Sequence, residues 1–165
     1  MRTLKFTMPC AIPLELNPNW QYHGPGQNGL KARAITRLKE FAYLCAVSAR
    51  NDWEKQHDNT KWEPLEKAEI TVLIIMGKFM REWDDTNSRA AMKHAEDMWT
   101  LPKGNKGGAA IIMDDSPGHV KWKPIQWRRG ENPSEPSIEV EIKERFCHGR
   151  AHNDTIVTVD RKIKG

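Results

Sequence analysis

The chain has 165 residues, 38% hydrophobic and 29% charged, which is enough for one domain with a sizeable core. No apolar run approaches the roughly 18 residues of a membrane-spanning helix, and MRTLKFTMPCAIPLEL lacks the apolar stretch and cleavage site of a signal peptide, so neither membrane insertion nor secretion is expected. Lys and Arg (26) exceed Asp and Glu (22) only mildly, permitting a polyanionic partner without demanding one; Cys10, Cys45 and Cys147, odd in number and far apart, indicate neither a disulfide framework nor a zinc site and fit a reducing cytoplasm.

Residues 2–8 alternate well enough for a strand, and the Pro- and Asn-rich stretch PCAIPLELNPNWQYHGPGQNG reads as a long irregular connection. From Leu30 to Trp53, apolar residues (Leu30, Ala34, Leu38, Phe41, Ala42, Cys45, Ala49, Trp53) recur at three- and four-residue steps, which predicts an amphipathic helix. Its first turns carry Lys31, Arg33, Arg37 and Lys39, either a phosphate-binding group or an ordinary solvated face. AEITVLIIM (68–76) is continuously apolar and β-branched, the pattern of a central strand buried on both faces. Asp85, Thr86, Asn87 and Ser88 are all N-cap types and place a helix start before AAMKHAEDMWTL, where Ala91, Ala95, Met98 and Trp99 form an apolar stripe.

After the loop PKGNKGG, AAIIM predicts a short strand ending in the doublet Asp114–Asp115. HVKWKPIQWRR reads as an extended segment that Pro124 assigns to a sheet edge or a bulge. SIEVEIKE alternates Ile138, Val140 and Ile142 against Glu139 and Glu141, a half-buried antiparallel strand. Residues 143–165 form a basic extension whose tail, RFCHGRAHNDTIVTVDRKIKG, carries one further candidate strand and a faint Cys147–His148–His152 metal pattern. The order β-α-β-α-β-β-β predicts a single α+β domain, a mixed sheet with two main helices packed against it.

The acids gather in two places, Asp84/Asp85 after the central strand and Asp114/Asp115 after the short one, with Asp97 on the helix between and Lys93 four residues before it. Carboxylates at strand ends suit a hard cation such as Mg²⁺, which activates water and neutralises charge on a phosphodiester. The same residues also read as helix caps, an i,i+4 surface pair and a turn opener. Residue types and spacing leave both readings open.

Several ordered motifs then come together. LNPNWQYH precedes the long helix; REWDDTNSRAAMKHAEDM carries Arg, then Asp…Asn, then Lys and Asp four apart; an apolar strand runs into DDSPGHV; SIEVEI closes the set. Over residues 1 to 143 this combination resembles the RusA-type endodeoxyribonucleases, a family common in prophages that resolves Holliday junctions. The resemblance implies a RusA-like fold and a Mg²⁺-dependent nuclease, with Mn²⁺ as a substitute metal and no small-molecule cofactor. It also implies a homodimer that presents two identical sites to four-way junctions and other branched DNA.

Carried over by position, it assigns metal binding to Asp84, Asp97 and Asp115, with Asp85 in reserve, places Asn87 at the motif asparagine among the DNA contacts, and sets Lys93 beside the scissile phosphate. One departure is plain: Thr86 stands where the family has a second aspartate. Loss of that ligand implies either compensation by Asp85 or a junction-binding protein that cuts weakly or not at all. DNA phosphates would be met by Lys31, Arg33 and Arg37, by Lys103 and Lys106 in the Gly-rich loop, and by Lys121, Lys123, Arg128 and Arg129 interleaved with Trp122 and Trp127. Of the aspartate doublet, Asp115 is expected to face Asp84, Lys93 and Asp97, and Asp114 to support the turn.

Overall fold

The computed structural model describes residues 1–21, 26–102, 107–132 and 134–146. Five strands, β1 (Thr3–Met8), β2 (Ala68–Met76), β3 (Val120–Trp122), β4 (Gln126–Arg129) and β5 (Ser137–Glu144), form one mixed sheet, accompanied by helices α1 (Gln27–Gln56) and α2 (Asp85–Glu96). β5 lies between β1 and β2 and is antiparallel to both, while β3 and β4 pair parallel with the other edge of β2. The α+β class with a mixed sheet is therefore as the residue pattern predicts.

Register explains where the core sits. Leu4, Ile142 and Ile70 share one row, Phe6, Val140 and Val72 the next, and Met8, Ile138 and Ile74 a third, so alternate side chains on all three strands point to one face. Leu38, Ala42 and Ala46 of α1, spaced four apart, supply the matching buried stripe of the helix layer. The opposite sheet face carries Lys5, Thr7, Glu139 and Glu141, with an ion pair between Lys5 and Glu141 at 3.3 Å. This corrects the expectation for β2: Ala68, Ile70, Val72 and Ile74 are buried, but Glu69, Thr71 and Leu73 are only half-buried. Burial is continuous only toward the end of the strand, over Ile74, Ile75 and Met76.

α1 is longer than its apolar periodicity predicts, 30 residues starting after Gly26 in the left-handed region (φ 91°). It ends at His57, whose ring stacks on Trp53 at 3.9 Å, followed by Asp58 and Asn59 with φ of 53° and 59°. A left-handed pair made of Asp and Asn is the usual non-glycine way to stop a helix. The irregular connection before α1 contains one 3-10 turn, Leu14–Leu16, that anchors Leu16 in the core.

Two further sequence expectations change. AAIIM is not a sheet strand: Ile112 makes one isolated parallel bridge with Leu65, and the segment is otherwise held by loop hydrogen bonds. HVKWKPIQWRR is not continuous: Pro124, which has no N–H for the ladder, falls in the gap between β3 and β4. No helix among the described residues is long and apolar enough to cross a membrane. Lys103, Lys106, Cys147, His148, His152 and the tail strand lie outside the described residues.

Candidate active site

The doublet Asp114–Asp115 is positioned by the buried pair before it. Ile111 and Ile112 are fully buried and donate their N–H groups to the carbonyl of Trp99 at 2.8 and 3.0 Å, while Leu65 N–H donates to Ile111 O at 2.9 Å and Met113 N–H to Leu65 O at 3.0 Å. Arg50 of α1 donates to Ala109 O at 2.7 Å from the other side. The apolar run is thus bolted to the end of α2, to the segment before β2 and to α1, and it delivers the aspartates to a fixed place. Asp114 Oδ1 then accepts the backbone N–H of Asp115 at 2.8 Å, which stiffens the turn and sets the direction of Asp115.

Asp115 meets Lys93. The Lys93 ammonium donates to Asp115 Oδ2 and to Glu96 Oε2 (3.0 Å), and lies 3.9 Å from Asp97 Oδ1. Residues 93, 96 and 97 are three and four apart, so the end of α2 presents them on one face. Lys39 of α1 completes the group, 3.5 Å from Asp97 Oδ2. Burial works against the charge on Lys93, but hydrogen bonds to Asp115 and Glu96 outweigh it and hold the ammonium above its ordinary pKa. Burial, and then the positive charges of Lys39 and Lys31, push the imidazole of His94 downward against the opposing pull of Asp97.

The remaining predicted acids are elsewhere. Asp84 is the N-cap of α2, accepting from Asn87 N–H at 2.9 Å and from the Asn87 side chain, while Ser88 Oγ donates to Asp84 O at 2.8 Å. Asp85 Oδ1 accepts Ile125 N–H at 2.8 Å and so ties α2 to the gap between β3 and β4. Nine residues of helix separate Asp84 from Lys93, about 13 Å along the axis and half a turn around it. Among the described residues, no hydrogen bond or ion pair brings Asp84, Asp85, Thr86 or Asn87 to the Lys93 group. The chain is helical from Asp85 onward, so Asp85 and Thr86 leave the helix about 100° apart.

The predicted DNA-binding cations also separate. Strand register puts Trp122 beside Ile70 and Trp127 beside Ile74 on the helix side, whereas Lys121 pairs with Glu69 and Arg128 with Ile75 on the other side. Lys123 and Arg128 engage Glu69 and Glu139 there, at 3.4 and 3.9 Å. Lys121 and Arg128 therefore face away from Trp122 and Trp127, while Arg129, paired with Met76, shares the side of Trp127. Arg129 donates to the carbonyls of Gly77 and Lys78, both at 3.3 Å. Arg33 and Arg37 line a groove of about 840 Å³ with Cys10, Phe41 and Pro136, whose surroundings raise the Cys10 thiol to about 11, chiefly by burial. Lys31 is exposed on α1.

Sequence reasoning missed Glu96, which is 4% exposed and accepts from Trp122 Nε1 at 2.8 Å while holding Lys93. It also missed Lys39 as a partner of Asp97 and Arg89, whose guanidinium lies 5.6 Å from the Trp122 ring centre. The spacing of Glu96, three residues after Lys93, was the available signal.

Mg²⁺ commonly takes one or two carboxylates and completes its shell with waters and phosphate. Asp97 and Asp115 meet that minimum: both are partly exposed, and both line one cleft of about 450 Å³ together with Lys39. Three carboxylates (Glu96, Asp97, Asp115) surround two ammonium groups (Lys39, Lys93), leaving one net negative charge to attract a cation. The larger predicted set does not form, since among the described residues no three or more His, Cys, Asp or Glu side chains are gathered for a metal. No protein-family model matches the chain, and no curated protein matches it.

Proposed function

We propose that the protein is a structure-selective endodeoxyribonuclease of the RusA type, dependent on Mg²⁺ and acting as a homodimer on four-way junctions and other branched DNA. The observation that carries this reading is the group at the end of α2: Lys93 held between Asp115 and Glu96, with Asp97 and Asp115 opening onto one cleft. It combines a fixed cation for a phosphate oxygen with two accessible carboxylates, the minimum machinery for phosphodiester hydrolysis.

In this reading Asp97 and Asp115 would hold the metal, whose chemistry would be charge neutralisation and activation of water. Lys93 contacts the scissile phosphate and opposes the negative charge that builds on its oxygens. Glu96, buried beneath it, fixes the direction of Lys93. Lys39 and Lys31 on the neighbouring α1 meet the phosphates that flank the cut.

A second reading has its own observation. Asp84 and Asp85 are spent on a cap and a strand tie, and Thr86 stands at the position of a family acid, so a protein that holds junctions without cutting them is the alternative. Incubating a labelled four-way junction with wild type, Asp115→Asn and Thr86→Asp, with and without Mg²⁺, decides between them. Metal-dependent paired nicks from wild type, lost in Asp115→Asn, support the nuclease. Binding without nicks by wild type, with nicks gained in Thr86→Asp, supports the binding protein. Equal cutting by wild type and Asp115→Asn would sink the site assignment.

A further inference from the structure

Phe79 is the most exposed large hydrophobic side chain among the described residues, at 90%, and nothing in the proposed cleavage chemistry uses it. It sits at the tip of a turn that follows β2 and leads into α2. Met80 N–H donates to Gly77 O at 3.3 Å, and Gly77 N–H points at Met80 Sδ at the same distance. Arg129 clamps the base of the turn through the carbonyls of Gly77 and Lys78. The ring is therefore presented on a braced turn instead of folding into the core.

Its neighbours are cations. The Lys78 ammonium lies 5.4 Å from the ring centre, and Arg81 is exposed two residues on, with Glu82 the nearest acid in sequence. Beside the ring is a shallow hollow of about 650 Å³ lined by Met80, Ala11 and Pro136, with Asn132 on its rim. An aromatic ring flanked by positive charge, next to an apolar recess, matches a nucleobase between two phosphates better than an apolar protein surface. The turn precedes the N-terminus of α2, and the Lys93 group lies at the other end of that helix.

We infer that Phe79 is a base-stacking residue, receiving an unstacked base at the branch point of the DNA while Lys78 and Arg81 hold the flanking phosphates. The inference rests on the branched-DNA reading above and specifies how the branch is recognised. Bases at a branch are the least costly to unstack, so a stacking ring there selects branched over linear duplex without reading sequence.

The test uses the full chain with a four-way junction carrying 2-aminopurine at the branch, and wild type, Phe79→Ala and Phe79→Trp compared at one salt concentration. The expected result is about tenfold weaker junction binding by Phe79→Ala, the scale of one lost stack, with its 2-aminopurine signal abolished and linear-duplex binding unchanged. Phe79→Trp should restore both. Because the side chain is exposed, an unchanged melting temperature is expected for both variants. If wild type binds the junction and Phe79→Ala binds it equally with the same signal, the inference falls and the function reading stands. A fall in sedimentation coefficient in Phe79→Ala with an unchanged 2-aminopurine response would assign the ring to contact between copies of the chain and overturn the inference. If wild type binds no branched DNA, both fall together.

Discussion

Glu96 is the buried hinge of the candidate site, and its removal tests whether the Lys93 arrangement is real. Its carboxylate is 4% exposed and divided between two donors, Trp122 Nε1 at 2.8 Å and Lys93 Nζ at 3.0 Å. Glu96→Gln keeps one oxygen for the indole but turns an amide N–H₂ group toward the ammonium, so the charge-assisted bond is lost. Such a bond is worth ~1.5–3 kcal/mol, and the partial exposure of Lys93 (46%) screens it to about 1 kcal/mol. Glu96→Ala also strands the indole N–H, adding ~1–3 kcal/mol, for a total of about 2–4 kcal/mol. Urea unfolding followed by tryptophan fluorescence should rank wild type above Gln above Ala at a constant m-value, with Glu96→Ala melting on the order of 10 °C lower. A cycle with Lys93→Met should return a coupling near 1 kcal/mol between the two positions. A Glu96→Ala variant within ~0.5 kcal/mol of wild type would refute the reasoning, because that is the behaviour of an ordinary surface residue.

Trp99 is fully buried, with Phe6 edge-on at 5.8 Å, and its indole N–H meets no acceptor among the described residues. Trp99→Phe should therefore lose less than ~1.5 kcal/mol by denaturant melting, against ~3–5 kcal/mol for Trp99→Ala. A Cβ on Gly108 would stand 2.2 Å from Thr100 O, a backbone atom that cannot swing away, so Gly108→Ala should destabilise by ~1–3 kcal/mol and slow any cleavage by displacing the segment that carries Asp115. Hydrogen bonds from the Arg2 side chain and backbone hold the Glu144 carboxyl below its ordinary range. Since the folded value is depressed, its stabilisation is full above the unfolded value of about 4.3 and is lost as pH falls through the folded one; Glu144→Gln should flatten the stability–pH curve in that window and nowhere else. Junction affinity against salt should lose about one unit of slope in Lys31→Ala and none in Lys121→Ala if DNA lies on the helix side.

How legible the chain was depended on whether a pattern was local. Alternation in SIEVEIKE fixes Ile138, Val140 and Ile142 inward, and the structure buries all three, because period two survives any tertiary context. The stripe of α1 was readable for the same reason, although residues 27–29 and 54–56 extend it beyond its apolar marks. AAIIM misled because a short apolar run looks alike whether it joins a ladder or packs as a buried loop; only the distant Leu65 and Trp99 decide. At the candidate site, the contacts of Lys93 with Asp97 and Asp115 follow the expected grouping, and the i,i+4 spacing carried half of it. Asp84 and Asp85 could not be placed from spacing, since a capping acid and a ligand acid look the same until the helix boundary is known.

That boundary gives α2 two chemically different ends. Its N-terminus is where the helix dipole favours anions, and Asp84 and Asp85 answer it with a cap and a tie to Ile125. Its C-terminus favours cations, and Lys93 stands in the last turn there, between Asp115 and Glu96. A metal at the N-terminal end would have to overcome the positive helix pole and strip Asp84 and Asp85 of their structural bonds, whereas a phosphate at the C-terminal end would meet the negative pole and need Lys93 to offset it. On the proposed nuclease reading, the structural bonds of Asp84 and Asp85 therefore favour a metal at Asp97 and Asp115 over one at Asp84. Thr86, near the positive pole, is on this account a smaller loss than a comparison of motifs implies.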